Sequence, residues 1–314
     1  MRRAAVSLAL LVAAGACGDD KPQRAELPGV LYFVEDVPVP TLVRLTSGTR
    51  TTIGRDLFPS PSALPDGRLV AIASRGDGSP ESEQIALITP EGRVERLGPA
   101  AAQLRDPTVD PRGRWIVVAA NIDGHSDLYR VELTGTTTRL TNNEQGNFAP
   151  AALGDSIVYV SSRDGDSEIY RDDQRLTTFY RDDWQPTPSP NGRTIAFLSD
   201  RDGTPHIYLM NPDGTSLRRL TTHTAEESAP TWSRDGKLLA YVAGTHVWLH
   251  DMTSGTDREL SAPGVRDLEP SFSPDSRWLA VSRARGDASD VWVLSLDGGE
   301  PVLVAQTARL PRWR

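Results

Sequence analysis

Apolar and polar positions alternate along this chain in short runs, and each run is closed by Gly, Pro, Asn or Asp. The clearest stretch is Pro186–Thr221. Pro186–Ser189 runs into Pro190-Asn191-Gly192, and Thr194–Leu198 ends at Asp202-Gly203. His206–Met210 ends at Pro212-Asp213-Gly214, and Leu217–Leu220 closes the unit. β-rich runs punctuated in this way predict antiparallel hairpins. A four-stranded meander of this size cannot bury its own faces, so it needs copies of itself to pack against.

The copies are present. Pro59, Pro107, Pro150, Pro186, Pro230 and Pro270 each open a unit, 36 to 48 residues apart, in or near the range of propeller blades. The second segment is apolar every time, as in Leu69–Ala73, Trp115–Ala119 and Leu238–Val242. The third carries pairs such as Ile207-Tyr208 and Val247-Trp248, and the last reads R-L-T at Arg139–Thr141, Arg175–Thr177 and Arg219–Thr221. One further unit is split between the ends. Val30–Glu35 reads as a second strand with no first strand before it, and Leu42–Leu45 as a third. Leu310–Trp313 repeats the P-x-W of Pro230–Trp232. The predicted fold is all-β: a seven-bladed β-propeller of four-stranded antiparallel blades, or six blades if the split unit is degenerate. A C-terminal strand joining the N-terminal blade leaves no open sheet edge.

The recurring pattern P-x-W-S-x-D-G, then an apolar strand, D-G, I-Y, D-G and L-T, is similar to the WD-like propeller repeat of the TolB family. It covers nearly all of the chain after its first residues. A TolB protein has a further N-terminal domain, and only a short tether is expected before the repeats here. The resemblance therefore implies the fold and a tendency to bind protein or ligand, without a TolB role.

The first residues, M-R-R-A-A-V-S-L-A-L-L-V-A-A-G-A-C, combine two arginines, an apolar core and small residues, the make-up of a signal peptide. Ala14-Gly15-Ala16-Cys17 resembles the lipobox of bacterial lipoproteins, with Ala14 in place of the usual leucine. Cys17 is the only cysteine, so lipidation explains it better than an internal disulfide. The expected organisation is residues 1–16 as signal peptide, 17–28 as lipidated tether and 29–314 as propeller. That places the protein in a bacterial envelope, facing the periplasm, the outer membrane being favoured over the inner. The formal charge of −8 argues against nucleic acid, since no basic stripe is available to displace counterions from phosphate.

Candidate chemistry is sparse. No G-x-S-x-G motif is present, so the hydrolase chemistry that accompanies some propellers is not expected. His125, His206, His223, His246 and His250 are scattered, and no set resembling the metal ligands of oligogalacturonate lyases can be read. Asp164-Gly165-Asp166-Ser167-Glu168 alternates carboxylates as a calcium loop does, but reads more simply as a hairpin turn. One feature recurs: acids gather before the unit-opening prolines, often beside arginine. They are Asp56, Asp106, Asp182, Asp183, Glu227 and Asp267, with Arg55, Arg105, Arg181 and Arg266. If they ring one mouth of the channel, they could take a cationic partner; otherwise they are inter-blade ion pairs. No cofactor is expected, although a divalent cation at the mouth is compatible with the ring.

The resulting expectation is a lipid-anchored, monomeric interaction module, non-catalytic, binding an envelope protein, peptide or glycan at the channel mouth. The alternative is a polysaccharide lyase or hydrolase using mouth carboxylates as acid and base, since a ring offers many carboxylate pairs.

Overall fold

The computed structural model describes residues 27–37, 39–55, 57–74, 83–122 and 124–314. Within them lie seven four-stranded antiparallel sheets. Blade one spans Leu57–Ala101, blade two Gln103–Arg139, blade three Asn147–Arg175 and blade four Asp183–Arg219. Blade five spans Glu227–Glu259 and blade six Asp267–Ala305; blade seven joins Ala308–Trp313 to Val30–Arg55. Each innermost strand touches the next around the ring, and Ala308–Trp313 touches Leu57–Ala63 to close it. The expected seven-bladed propeller is what the chain forms.

The core lies between blades. Seven apolar clusters fill the seven gaps, one in each. Ile195 and Phe197 pack on Val158 and Ile169 of blade three. Their neighbours Ala196 and Leu198 face the other way, onto Leu239 and Tyr241 of blade five. Successive strand residues point to opposite faces, and here both faces are covered. This is why the second strands read as unbroken apolar runs. Each side chain of this size contributes about 1.5–3 kcal/mol by leaving water.

The prolines sit differently from the sequence expectation. They were expected to open the innermost strands, but blade four's begins at Asp183, three residues before Pro186, and blade six's at Asp267 before Pro270. A register shift interrupts the pairing beside each proline. The residue before it is left-handed: Asp106, Ala149, Gln185, Ala229, Glu269 and Leu310 all have φ between 45° and 55°. Proline has no N–H to lose on the free edge that faces the channel. The bulge then turns the strand and lets pairing resume one residue later. In blade one pairing resumes at Ser62, so Pro61, and not Pro59, is the equivalent proline.

Blade seven forms as expected. Leu31 pairs with Trp313, and Val30 N–H donates to the Arg314 carbonyl at 2.6 Å. Trp313 Nε1 donates to the Pro28 carbonyl at 2.5 Å. Gly29 has φ +70°, and a Cβ there would stand 2.0 Å from the Arg314 carbonyl oxygen. Only glycine fits this junction.

Candidate functional site

The channel has an upper end, where the innermost strands begin, and a lower end, where they finish. At the upper end three elements converge at each gap: a third strand, the end of the outermost strand, and the next blade's first residue. A carboxylate is buried at most of these seams. Asp267, fully buried, accepts from Ser261 Oγ at 2.9 Å and from Arg283 Nε at 2.7 Å. Glu227 accepts from the Ile207 N–H at 2.7 Å and Thr221 Oγ1 at 2.5 Å. Asp183 is held by both its oxygens on Arg201, at 2.9 Å each.

The third strand supplies further acids: Asp127 at the seam where the inner strand begins with Asn147, and Glu168 beside Asp183 at the next. Asp127 accepts from Thr141 Oγ1 at 2.7 Å and from Asn147 Nδ2 at 3.1 Å. Glu168 accepts from Thr177 Oγ1 and, at 2.7 Å, from Arg175. Burial pushes the Glu168 carboxyl upward, against the pull of those two donors. The recurrent R-L-T now has a physical meaning. In each copy the arginine Nε donates to the threonine carbonyl, at 3.0, 2.7 and 2.7 Å. The threonine hydroxyl is thereby aimed at the seam carboxylate.

Sequence neighbours do not pair as anticipated. Asp183 and Asp267 take Arg201 and Arg283 from their own blades' second and third strand hairpins, not Arg181 and Arg266. Adjacent residues in an extended chain point to opposite sides, so Arg266 cannot follow Asp267 into the seam. Arg181 lies 3.8 Å from Asp200 instead, and Asp182 accepts the Ser167 N–H at 2.8 Å. Arg266 is exposed, and Arg55 ends the exposed outermost strand of blade seven. Asp56, like Cys17, lies outside the described residues.

Asp106 differs from the buried acids. It stands in the bulge, where its carboxyl accepts the N–H of Ala149 on the neighbouring inner strand. Partial loss of water pushes its pKa up, against that N–H and the Arg105 charge. Glu269 occupies the same bulge position in blade six. It accepts the Leu310 N–H at 2.9 Å and Ser282 Oγ at 2.5 Å. Both tie one inner strand to the next. Arg105 remains exposed and reaches Gln103 at 3.3 Å.

The sequence reading missed an aromatic shelf at this end. Tyr180 is 70% exposed and Phe148 38%. The Phe179 and Tyr180 rings lie 4.5 Å apart, with Arg181 over Tyr180. Phe148 rests on Gly146, where a Cβ would come within 1.9 Å of the ring. Half-buried Trp184 stands at the equivalent place on the next inner strand. The stretch Phe179–Trp184, rich in aromatics yet outside the apolar strands, was the available signal.

Asp164-Gly165-Asp166 forms the tip of a hairpin between Ser156–Asp164 and Asp166–Arg171. Asp164 is engaged by Tyr170 and Arg175. Among the described residues, no group of three His, Cys, Asp or Glu could hold a metal ion. His206 is buried beside Glu227, 3.7 Å away, and burial pulls its pKa down.

The ring of seven four-stranded blades defines the class, a β-propeller. Within that class, residues 171–313 match the TolB beta propeller domain. An uncharacterized protein of Agrobacterium fabrum, Atu1656, is 28% identical over 68% of this chain and 78% of its own length. A TolB homolog of Chlorobium luteolum is 29% identical over 48% of this chain. The match spans only 36% of that homolog's length. Among solved structures, TolB from Acinetobacter baumannii superposes with a TM-score of 0.62 at 22% identity, covering 92% of this chain and 67% of its own. An oligogalacturonate lyase in complex with manganese gives 0.65 at 15% identity, over 88% and 85%. At these identities the structural likeness carries the fold alone.

Proposed function

We propose that this chain is a non-catalytic interaction module of a bacterial cell envelope. In this reading it is anchored by lipid on Cys17, faces the periplasm from the outer membrane, and binds a protein, peptide or glycan partner at the upper channel mouth. The observation that carries it is the shelf of Phe148, Phe179, Tyr180 and Trp184 with Arg181 and Asp182 beside it. Exposed Tyr180 and Phe148, backed by half-buried Phe179 and Trp184 and rimmed by charge, have the composition of a recognition surface. Asp183, Glu227 and Asp267, meanwhile, are occupied by donors of the fold itself. An acid pair free to work on a glycosidic bond would need carboxylates open to substrate.

The test compares capture of envelope components by the wild type with capture by Tyr180→Ser and Phe148→Ser. Asp213→Lys, on an outer turn, is the control for net charge. Loss of a defined partner in the two shelf variants alone supports the reading. Equal capture by all forms, or turnover of an acidic polysaccharide by the purified protein, overturns it. Mass spectrometry of the mature N-terminus tests the anchor: an unmodified Cys17 removes the lipoprotein assignment.

A further inference from the structure

The lower end of the channel holds a cavity of about 460 Å³, a size suited to a small molecule. Five of the seven blades contribute to it. Its walls include Trp232, Phe272 and Trp313, and its charged residues are Arg234, Arg314 and Asp110. The indole N–H groups are already committed, Trp232 to the Thr187 carbonyl and Trp313 to that of Pro28. These side chains therefore offer apolar surface to the cavity and no donors.

The charge balance is unusual for a protein of formal charge −8. Asp110 is neutralised by Arg114 at 2.5 Å, and nearby Asp66 by Arg68 at 2.7 Å. Among the described residues, no carboxylate lies within ion-pair distance of the guanidinium of Arg234, Arg312 or Arg314. Among the described residues, the Arg314 guanidinium reaches the Arg68 carbonyl at a long 3.5 Å. Its main-chain carbonyl is taken by Val30 N–H. Arg312 lies two residues before it, on the same side of the strand, and donates to the Pro311 carbonyl at 2.9 Å. Glu269 is the opposing charge that Arg312 feels, and it is already held by Ser282 and Leu310. Burial holds the Arg314 guanidinium below the ordinary arginine range; Tyr32 and Asp66, the latter already held by Arg68, pull it the other way, and the Arg234 charge lowers it further. Arg234 and Arg314 thus face a half-apolar cavity with no carboxylate in ion-pair contact among the described residues.

We infer that the lower channel is a binding site for a small organic anion. Its charged oxygens, of a carboxylate or a phosphate, are held by Arg234 and Arg314, and its apolar body lies against Trp232, Phe272 and Trp313. Guanidinium groups match the geometry of both oxyanions. The site is separate from the partner surface at the upper mouth.

The probes are phenyl phosphate, benzoate, inorganic phosphate and phenol, titrated calorimetrically into the full chain purified in detergent. Saturable binding of phenyl phosphate or benzoate, about tenfold or more tighter than inorganic phosphate or phenol, is expected, and the better of the two tells phosphate from carboxylate. Arg234→Gln, a change on an exposed turn, should weaken it about tenfold, the loss of one charge-assisted contact. Arg234→Lys should recover part of that loss. Arg193→Gln, on the equivalent turn of blade four and outside the cavity, and Tyr180→Ser at the upper mouth should bind as the wild type does. The proposal fails if neither organic anion saturates, or if Arg193→Gln and Arg234→Gln weaken binding alike. It fails equally if phenol binds as tightly as phenyl phosphate.

Discussion

The two ends of the channel carry the same kinds of side chain and use them in opposite ways. At the upper end Asp183, Glu227 and Asp267 are buried and each has its own donors. At the lower end Arg234 and Arg314 face a cavity without a carboxylate of their own. The cause is which elements meet. An upper seam joins a third strand, an outermost strand end and the next inner strand, so one carboxylate can collect several donors. A lower turn is closed on itself: Ser233 donates to Asp235, which also accepts the Lys237 N–H. The Arg234 N–H donates to Ser276 Oγ of the next blade's turn at 3.2 Å, and its guanidinium meets no carboxylate among the described residues. Charge at the seams thus belongs to folding, while at the lower end the charges of Arg234 and Arg314 face the cavity.

The largest break in this comparison is at the lower end itself. Removing Leu310–Arg314 takes away Trp313, its bond to Pro28 and the pairing with Val30, Leu31 and Tyr32. Loss of one large aromatic alone costs about 3–5 kcal/mol, and the exposed strand edge adds to it. A fall of about 5 kcal/mol or more is a large share of a domain's stability. Thermal unfolding identical to wild type would show that this strand does not close the ring.

Next comes the upper seam. Asp267→Ala leaves Arg283, whose side chain is 13% exposed, without its counter-charge. Breaking one side of a buried pair costs about 3–5 kcal/mol. Replacing both residues, as Asp267→Ala with Arg283→Met, should recover at least half of that. A double-mutant cycle reads the coupling; no recovery would mean that Asp267 acts chiefly through Ser261.

How much of this was open to sequence reading depends on separation along the chain. The blades were legible because their punctuation is local: Pro190-Asn191-Gly192 and Pro212-Asp213-Gly214 each close a hairpin within a few residues. The split blade was legible because Pro311-Arg312-Trp313 copies Pro230-Thr231-Trp232. The seam partners were not. Asp183 and Asp267 are recognisable as recurrent acids, but Arg201 and Arg283 follow 18 and 16 residues later, and nothing local joins them. The left-handed residue before each proline also hid the true strand starts, because it inserts one residue into the inward–outward alternation. Pro59 looked equivalent to Pro107 for the same reason. The cavity arginines had no signal at all, since their distinction is the absence of partners in space.

Gly29→Ala is a smaller break at the lower end. A left-handed non-glycine residue costs about 1–2 kcal/mol, and the Arg314 carbonyl stands in the way of the new Cβ. A loss of about 2 kcal/mol or somewhat more is expected in denaturant unfolding. A neutral result would place the closing carbonyl elsewhere.

The smallest expected effect has the opposite sign and sharpens the contrast between buried and bulge carboxylates. Asp106 sits at the upper end, yet it belongs to the channel lining, not to a seam. Its pKa in the folded protein lies above the unfolded value, chiefly from lost hydration. A raised carboxyl favours the fold fully only below the unfolded pKa, and that contribution is lost as pH rises through the folded pKa. At neutral pH the ionised Asp106 therefore weakens the fold slightly. Asp106→Asn keeps an oxygen for the Ala149 N–H and removes the charge. It should melt slightly above the wild type at pH 7, by about 0.5 kcal/mol at most because channel water screens the charge. The two melting curves should converge on acidification below the ordinary aspartate range. If Asp106→Asn is instead less stable at pH 7, with the gap closing in acid, then the Asp106 charge is held by attraction. The distinction between bulge and seam would then be lost.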